Sequence, residues 1–471
     1  MRGTLLKRTR TRKGGTATIE LLLGNTRGAQ KPMLVSTKQQ QIALLARNNP
    51  ATVFTSLHHF IDYTWLCQAY QLTRKDGAVG VDGRTAAQYE VNLEANLLDL
   101  LNRVKSGRYK APAIRRVYIP KGGGKLRPLG IPTFEDKIVQ RAVVMLLEPI
   151  YEQDFYHCSF GFRKQRSAHQ ALQSLRNHIM DEQGRWVLDV DIQKYFDTID
   201  HQHLRAFLAK RVVDGVIRKL IDKWLKAGVL EAGRIHRSSQ GTPQGGVISP
   251  LLANVYLHYV LDEWVHKDVM PRMKGRMSIT RFADDFVMVF QHYEDCYRVE
   301  RVLPKRFNRY GLQLHPDKTC RIDFRFRYRR QNQARGKPVN FDFLGFTHYW
   351  GKSRRGRFVV RQKTAKTRLA RTLKGINEFC RNNRHRPMDE QQMKLNQKLR
   401  GHYAYFGITG NGKSLKSLHH RVTKLWHKWL GRRSRKSYIP WRRFMLVLQR
   451  LPLEQPRIYH QYYVNHQLAK R

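Results

Sequence analysis

A chain of 471 residues with 88 Lys and Arg against 36 Asp and Glu has a formal charge of +52, which excludes an acidic binding module and disfavours compact association without a polyanion. Its 41% hydrophobic and 11% aromatic content can fill real cores, so it is not a disordered basic protein, and two or three domains are expected. Nucleic acid is the partner this composition favours.

In chain order, residues 1–50 open with a basic cluster (Lys7, Arg8, Arg10, Arg12, Lys13) and a polar Gly-Gly and Gln-Gln-Gln segment, which reads as a flexible basic arm. From Ala51 to Tyr70, apolar residues at Val53, Phe54, Leu57, Phe60, Ile61, Trp65 and Leu66 have helical spacing. A glycine-rich turn, Lys75 to Gly83, precedes a second amphipathic helix through Leu93, Leu97, Leu101 and Val104. Val117 to Pro132 reads as two short strands around the glycines 122–124. Thr133 and Asp136 then resemble a capping box for a helix through Val139, Val143 and Leu147.

The segment Trp186 to Ile192 alternates apolar residues with Val187, Asp189 and Asp191, as a half-buried strand does. Gly241 to Asn254 begins with glycines that let backbone approach nucleic acid, and Ser249-Pro250 reads as N-cap and first residue of a helix. In Arg281-Phe-Ala-Asp-Asp-Phe-Val-Met-Val289 two acids sit between apolar residues of high strand propensity, so Asp284 and Asp285 are expected at the tip of a buried hairpin. Two such carboxylates repel each other and lose hydration, and a hard divalent cation relieves both costs. Asp191, brought in from 93 residues before Asp284, would make a three-carboxylate cluster of the kind a two-metal phosphoryl-transfer site uses.

Beyond Lys352 the chain turns basic and helical, with Glu378, Asp389, Glu390 and Glu454 as its acids. Aromatics among these cations suit RNA, by stacking on bases while phosphates pair. Trp426 and Leu430, four apart, are expected in a helix core instead. Gly407 to Ser414 satisfies the P-loop pattern, but no apolar strand ending in Asp follows in the remaining residues, so it reads as a coincidental loop. Cys67, Cys158, Cys296, Cys320 and Cys380 form no C-x-x-C pair, so neither disulfides nor a zinc site is expected and a reducing cytoplasm fits. No apolar run nears the roughly 18 residues of a membrane span, and the N-terminus lacks the apolar core of a signal peptide.

Phe-Ala-Asp-Asp after Asp-Ile-x-x-x-Phe-Asp, with Gly-Thr-Pro-Gln-Gly-Gly between them, resembles the palm of reverse transcriptases. Lys75 to Gly83, and Leu395 to Phe406 with its Arg-Gly-His-Tyr, resemble the bacterial group II intron-encoded reverse transcriptase/maturase, over about residues 53–430. The resemblance implies an α+β right hand, fingers and palm with an antiparallel sheet packed on helices, followed by an α-helical thumb or maturase domain. The divisions expected are the arm at 1–50, the reverse transcriptase domain at 51–350 and the thumb at 351–471. Implied catalytic residues are Asp191, Asp284 and Asp285, which with Ile192 are the positions expected to hold two Mg²⁺. Lys121, Arg127, Phe196, Gln244 and Lys318 match positions that handle the deoxynucleoside triphosphate (dNTP): the first two hold the triphosphate, Phe196 closes off the sugar 2′ position, Gln244 faces the nascent pair and Lys318 protonates pyrophosphate.

Asp189 and Asp197 fall outside that ligand set, with solvent-facing or hydrogen-bonding roles, and Phe341 to Phe346 resembles a primer-gripping hairpin. Arg400, Tyr403, Tyr405, Arg432 and Arg433 are expected to bind RNA. The implied partners are a group II intron RNA, an RNA template, a DNA primer and dNTPs, in a bacterial cytoplasmic ribonucleoprotein; a dimer is compatible with the sequence. Two departures stand out: Phe282 where the family commonly has Tyr, and His402 where it often has Trp. The paired cysteines of a His-Asn-His nuclease and a further carboxylate cluster for RNase H do not follow the thumb motif, so neither activity is expected. The rival functions are an RNA-binding maturase without chemistry, and a domesticated polymerase in repair or defence.

Overall fold

The computed structural model describes residues 34–122, 125–180, 183–231, 234–236, 241, 245–336, 339–353, 355–434 and 438–461. Residues 34–50, expected in a flexible arm, instead contain helix α1 (Val35–Asn48), whose Ile42 and Ala46 are buried in the main core. Residues 1–33 lie outside the described residues. The helix expected over 51–70 divides. Phe54 pairs in extended conformation with Val212, a short 3₁₀ turn covers His58–Phe60, and α2 (Tyr63–Leu72) starts where Asp62 accepts a hydrogen bond from the Trp65 N–H. Helices α3 (Ala86–Glu90) and α4 (Leu93–Lys105) follow.

Strands β1 (Ile114–Gly122) and β2 (Lys125–Ile131) form the expected hairpin, longer than the sequence suggested. Helix α5 (Phe134–Asp154) then runs through the main core, with Trp65 of α2 donating to its Ala142 carbonyl at 3.0 Å. Thr133 caps α5 by accepting from the Asp136 N–H, but Asp136 does not complete a capping box. Its carboxylate is buried and accepts from Tyr109 Oη, Trp224 Nε1 and Gln140 Nε2.

Burial pushes the Asp136 carboxyl up to about 6, so its share of stability is present below the ordinary carboxylate range and is lost as pH rises through about 6. Asp136→Asn is therefore expected to gain on the wild type by roughly 3 kcal/mol between pH 4 and pH 8, read from urea midpoints at the two pH values.

The palm begins with α6 (Ala168–Met180) and β3 (Trp186–Val190). A helical stretch follows in α7 (Tyr195–Thr198), α8 (His201–Ala209) and α9 (Gly215–Lys226), then short strands β4 (Val229–Glu231) and β5 (Arg234–His236). These join the fingers sheet in the order β2-β1-β4-β5. Helix α10 (Ser249–Leu257) has Ile248 at its N-cap, one residue before the Ser expected there, and continues into π-helical segments at His258–Asp262 and Val265–Val269. Strands β6 (Met277–Phe282) and β7 (Asp285–Phe290), helix α11 (Tyr293–Asn308) and strand β8 (Cys320–Asp323) complete an antiparallel sheet in the order β6-β7-β3-β8.

This sheet is covered on both faces. Leu188, Val190, Phe286 and Met288 pack with α11 and α10, while Val187, Val287 and Ile322 face α6.

Helix α12 (Arg329–Ala334) leads to a second antiparallel sheet, β9 (Phe341–Phe343), β10 (Phe346–Lys352) and β11 (Phe358–Thr364). Strand β10 runs across 350/351, and the C-terminal helical region starts with α13 (Lys366–Asn382). Helices α14 (Met388–Phe406), α15 (Gly412–Leu430) and α16 (Trp441–Arg450) share one core in which Leu395, Leu399, Trp426 and Leu430 are fully buried. The P-loop-like sequence connects α14 to α15, with a helix before it rather than a strand. Its buried Asn411 accepts from the Thr364 N–H and donates to the Thr364 hydroxyl, tying the thumb to β11. Among the described residues, no helix is long and apolar enough to cross a membrane.

Candidate active site

The palm register assembles the acids. Val190, the last residue of β3, pairs with Phe286 on β7, so the residue just beyond the strand, Asp191, falls across from Asp285 at the open end of the sheet. Cross-strand neighbours at this step are about 5 Å apart, close enough for strong repulsion. Asp284 lies in the two-residue turn between β6 and β7, after Ala283, whose φ of +58° is a left-handed conformation that costs a non-glycine residue energy.

The Asp285 side chain is exposed by surface area, yet surrounding protein desolvates its carboxyl. This desolvation, with the charges of Asp284 and Asp191, pushes its carboxyl up to about 6, against the opposing pull of Lys318 and Arg368. Half-buried Asp189, on the same face of β3, is pushed up to about 7 by burial and then by Asp285, Asp191 and Asp342. Asp189, expected in a solvent-facing or hydrogen-bonding role, is thus held toward its neutral form beside the acids.

Lys318 reaches this cluster through backbone pairing. Gln193 N–H donates to the Gln313 carbonyl, Ile192 bridges Leu314, and His315 N–H donates to the Asp191 carbonyl. That run delivers Lys318 Nζ to Asp191 Oδ2 at 2.5 Å. The Ile192 side chain is buried, so a metal could meet that residue through its carbonyl alone. Among the described residues, no three His, Cys, Asp or Glu side chains converge as a metal-binding group. The chemistry of the donors nonetheless fits a hard divalent cation: acidic oxygens from Asp191, Asp284 and Asp285, with the Asp285 carboxyl raised by desolvation and then by the other two.

What holds the hairpin tip is a buried network the sequence reading missed. Arg281, fully buried on β6, donates from Nε and Nη2 to both oxygens of the equally buried Asp262, and from Nη1 to Asn254 Oδ1 and the Ala283 carbonyl, both at 3.0 Å. Asn254 in turn donates to the Gly161 carbonyl at 2.8 Å. A Cβ on Gly161 would stand 2.3 Å from the Ala283 nitrogen, so only glycine admits this approach. Gly161→Ala is expected to displace the tip and lower primer extension by about 10²-fold, read from single-turnover rates, because small misplacements of reacting groups carry that penalty. The available signals were a charged residue inside an apolar strand (Arg281) and an acid inside an apolar helix (Asp262).

Two glycines place the 241–254 segment. Gly241 packs on the backbone of Phe196 and Asp197, and Gly245, at φ +115°, packs on the Gly130 carbonyl of β2. Phe196 is half-buried against the main core. Arg127 is exposed on the fingers hairpin. The Lys121 side chain and Gln244 lie outside the described residues.

In the thumb, the structure corrects one expected RNA contact. Tyr403 is fully buried in the core of α14 and α15, because it follows Leu395 and Leu399 at intervals of four, so its ring cannot stack on a base. Tyr405 is half-buried and donates its hydroxyl to the Leu344 carbonyl at 2.9 Å. Arg433 donates to the carbonyls of Arg384 and Arg386, whereas Arg400 and Arg432 are exposed. Buried His402 stacks on Phe406.

Residues 119–348 match the family model described as reverse transcriptase (RNA-dependent DNA polymerase). The chain is 37% identical over 289 residues to Protein YkfC of Escherichia coli (strain K12), covering 55% of this chain and 76% of that one. It is 39% identical over 230 residues to the group II intron-encoded protein LtrA of Lactococcus lactis subsp. cremoris, covering 48% of this chain and 38% of LtrA. To the putative COX1/OXI3 intron 1 protein of Saccharomyces cerevisiae it is 31% identical over 271 residues, 47% of this chain and 32% of that protein. The chain thus spans about a third of these two intron-encoded relatives. The chain belongs to the reverse transcriptase family, whose enzyme class is RNA-directed DNA polymerase.

Proposed function

We propose that this protein extends a DNA primer on an RNA template and uses its basic thumb to hold a group II intron RNA, assisting splicing and mobility. The palm register that sets Asp191 across from Asp285, with Asp284 at the tip, carries the first part. The primer 3′-hydroxyl attacks the α-phosphorus of a dNTP and pyrophosphate leaves. Two Mg²⁺ held by Asp191, Asp284, Asp285 and the Ile192 carbonyl would supply charge neutralisation and hydroxyl activation. Lys318, already beside Asp191, is placed to give a proton to the departing pyrophosphate. Lys121 and Arg127 suit the triphosphate, as point charge and planar fork respectively, and Gln244 suits the nascent pair.

Phe196 suits a sugar gate, its ring half-buried and its backbone packed closely by Gly241. Phe196→Ala is expected to raise ribonucleotide incorporation relative to deoxynucleotide by about tenfold, compared as kcat/KM in primer extension. Unchanged discrimination would assign the ring to core packing.

The intron role is supported by the names of the relatives LtrA and COX1/OXI3 intron 1 protein, and by the excess of cations over acids beyond Lys352. It predicts that a group II intron RNA binds far more tightly than length-matched random RNA at physiological salt. Equal affinities would count against it.

A further inference from the structure

We infer that the palm carries a second nucleic-acid site, a ladder of aromatic rings and guanidinium groups that takes single-stranded RNA, at the end of the sheet away from the carboxylates. Trp186 begins β3, and Asp191 lies five residues on, about 17 Å along the strand. Around Trp186 the groups alternate. Arg325 lies over the rings of Trp186 (4.8 Å) and Tyr328 (4.1 Å). Trp186 meets Tyr293 edge-on at 4.9 Å. Arg321 lies over both Tyr293 (4.8 Å) and Tyr297 (5.2 Å), whose rings are within 10° of parallel.

The ladder's cations are held in place and its tyrosine rings are part-exposed. Asp323 holds Arg325 through two hydrogen bonds of 2.8 Å, and Glu300 holds Arg321 at 2.6 Å. With their carboxylates committed, these pairs act as spacers between rings. Tyr293, Tyr297 and Tyr328 are each about 40% exposed, so part of each ring meets solvent.

Charge selects the occupant. Residues 324–335 hold five arginines and no acid, and along α11 the row Tyr293, Tyr297, Arg301, Lys305 places two further cations beside the rings. Glu294 is the acid exposed on that helix. Part-exposed rings at intervals, with Arg301 also over Tyr297 at 5.7 Å, suit the bases and phosphates of an unpaired strand. A protein partner would have to supply many acids to the same surface. The site lies outside the catalytic cleft and needs no catalysis, so it stands apart from the polymerase reading.

The test uses the full chain already loaded with a short RNA–DNA primer–template duplex, so that the cleft is filled, and titrates a fluorescent single-stranded RNA of mixed sequence. The expected result is that Tyr297→Ala/Arg301→Ser binds this RNA at least about tenfold more weakly than wild type, with unchanged extension of the preannealed primer. Tyr297→Phe, which keeps the ring, should bind as wild type does. Should the double variant misfold, Arg301→Ser alone, an exposed substitution, should lower the salt slope of log K by about 0.7. RNA affinity and slope equal to wild type would overturn the inference, as would loss of self-association with RNA binding intact, which would assign the ladder to a protein contact. A wild type that fails to extend primers yet binds RNA through the ladder would sink the polymerase reading and leave this one standing.

Discussion

Asp285→Asn is expected to reduce RNA-templated primer extension by at least about 10³-fold while leaving the protein folded. The size follows from what a metal-ligating carboxylate supplies, several kcal/mol of stabilisation to the charge that moves in phosphoryl transfer. The retained fold follows from the electrostatics of the free site. Asp285 is pushed up to about 6 by crowding and by Asp284 and Asp191, so removing its charge relieves repulsion. Single-turnover extension and a urea unfolding curve in chelator separate the two effects. Loss of activity together with a large loss of stability would instead make Asp285 a structural residue.

The second large effect concerns the scaffold under the tip. Asp262→Ala leaves the Arg281 guanidinium buried without its bidentate partner, and breaking such a pair costs about 3–5 kcal/mol. Because Arg281 also donates to the Ala283 carbonyl, extension should fall along with the urea midpoint. Replacing both partners by apolar residues (Asp262→Leu with Arg281→Met) should recover much of the stability, since the desolvation cost of both charges disappears, but not the extension. Recovery of both would mean that the network only holds the core together.

The parts of the site legible in the sequence are those carried by local pattern. Asp284 and Asp285 between Phe282 and the run Phe286 to Phe290 announce a hairpin tip, and the structure has one there. Alternation around Asp189 and Asp191 marks a strand, though Val187 is buried as deeply as Leu188 because α6 covers the second face. Trp426 and Leu430 lie in the thumb core as their spacing implied. Tyr403 was misjudged although the same interval of four, from Leu395 and Leu399, pointed inward. Contacts between distant segments left no local signature. The Arg281–Asp262 pair joins a strand to a π-helical segment, and Lys318 bonds to Asp191, 127 positions earlier. Helix α1 was hidden for another reason: its Gln-rich face is polar, and packing against α5 rather than its own pattern stabilises it.

The most direct measurement is extension of a DNA primer annealed to an RNA template, with Mg²⁺, by the wild-type chain beside Asp284→Ala. The palm geometry predicts templated extension by the wild type and its loss in the variant, with RNA binding equal in the two. Extension that survives Asp284→Ala, or none by either protein while intron RNA still binds tightly, would contradict the account, and the second outcome would make the chain an RNA-binding maturase without polymerase chemistry.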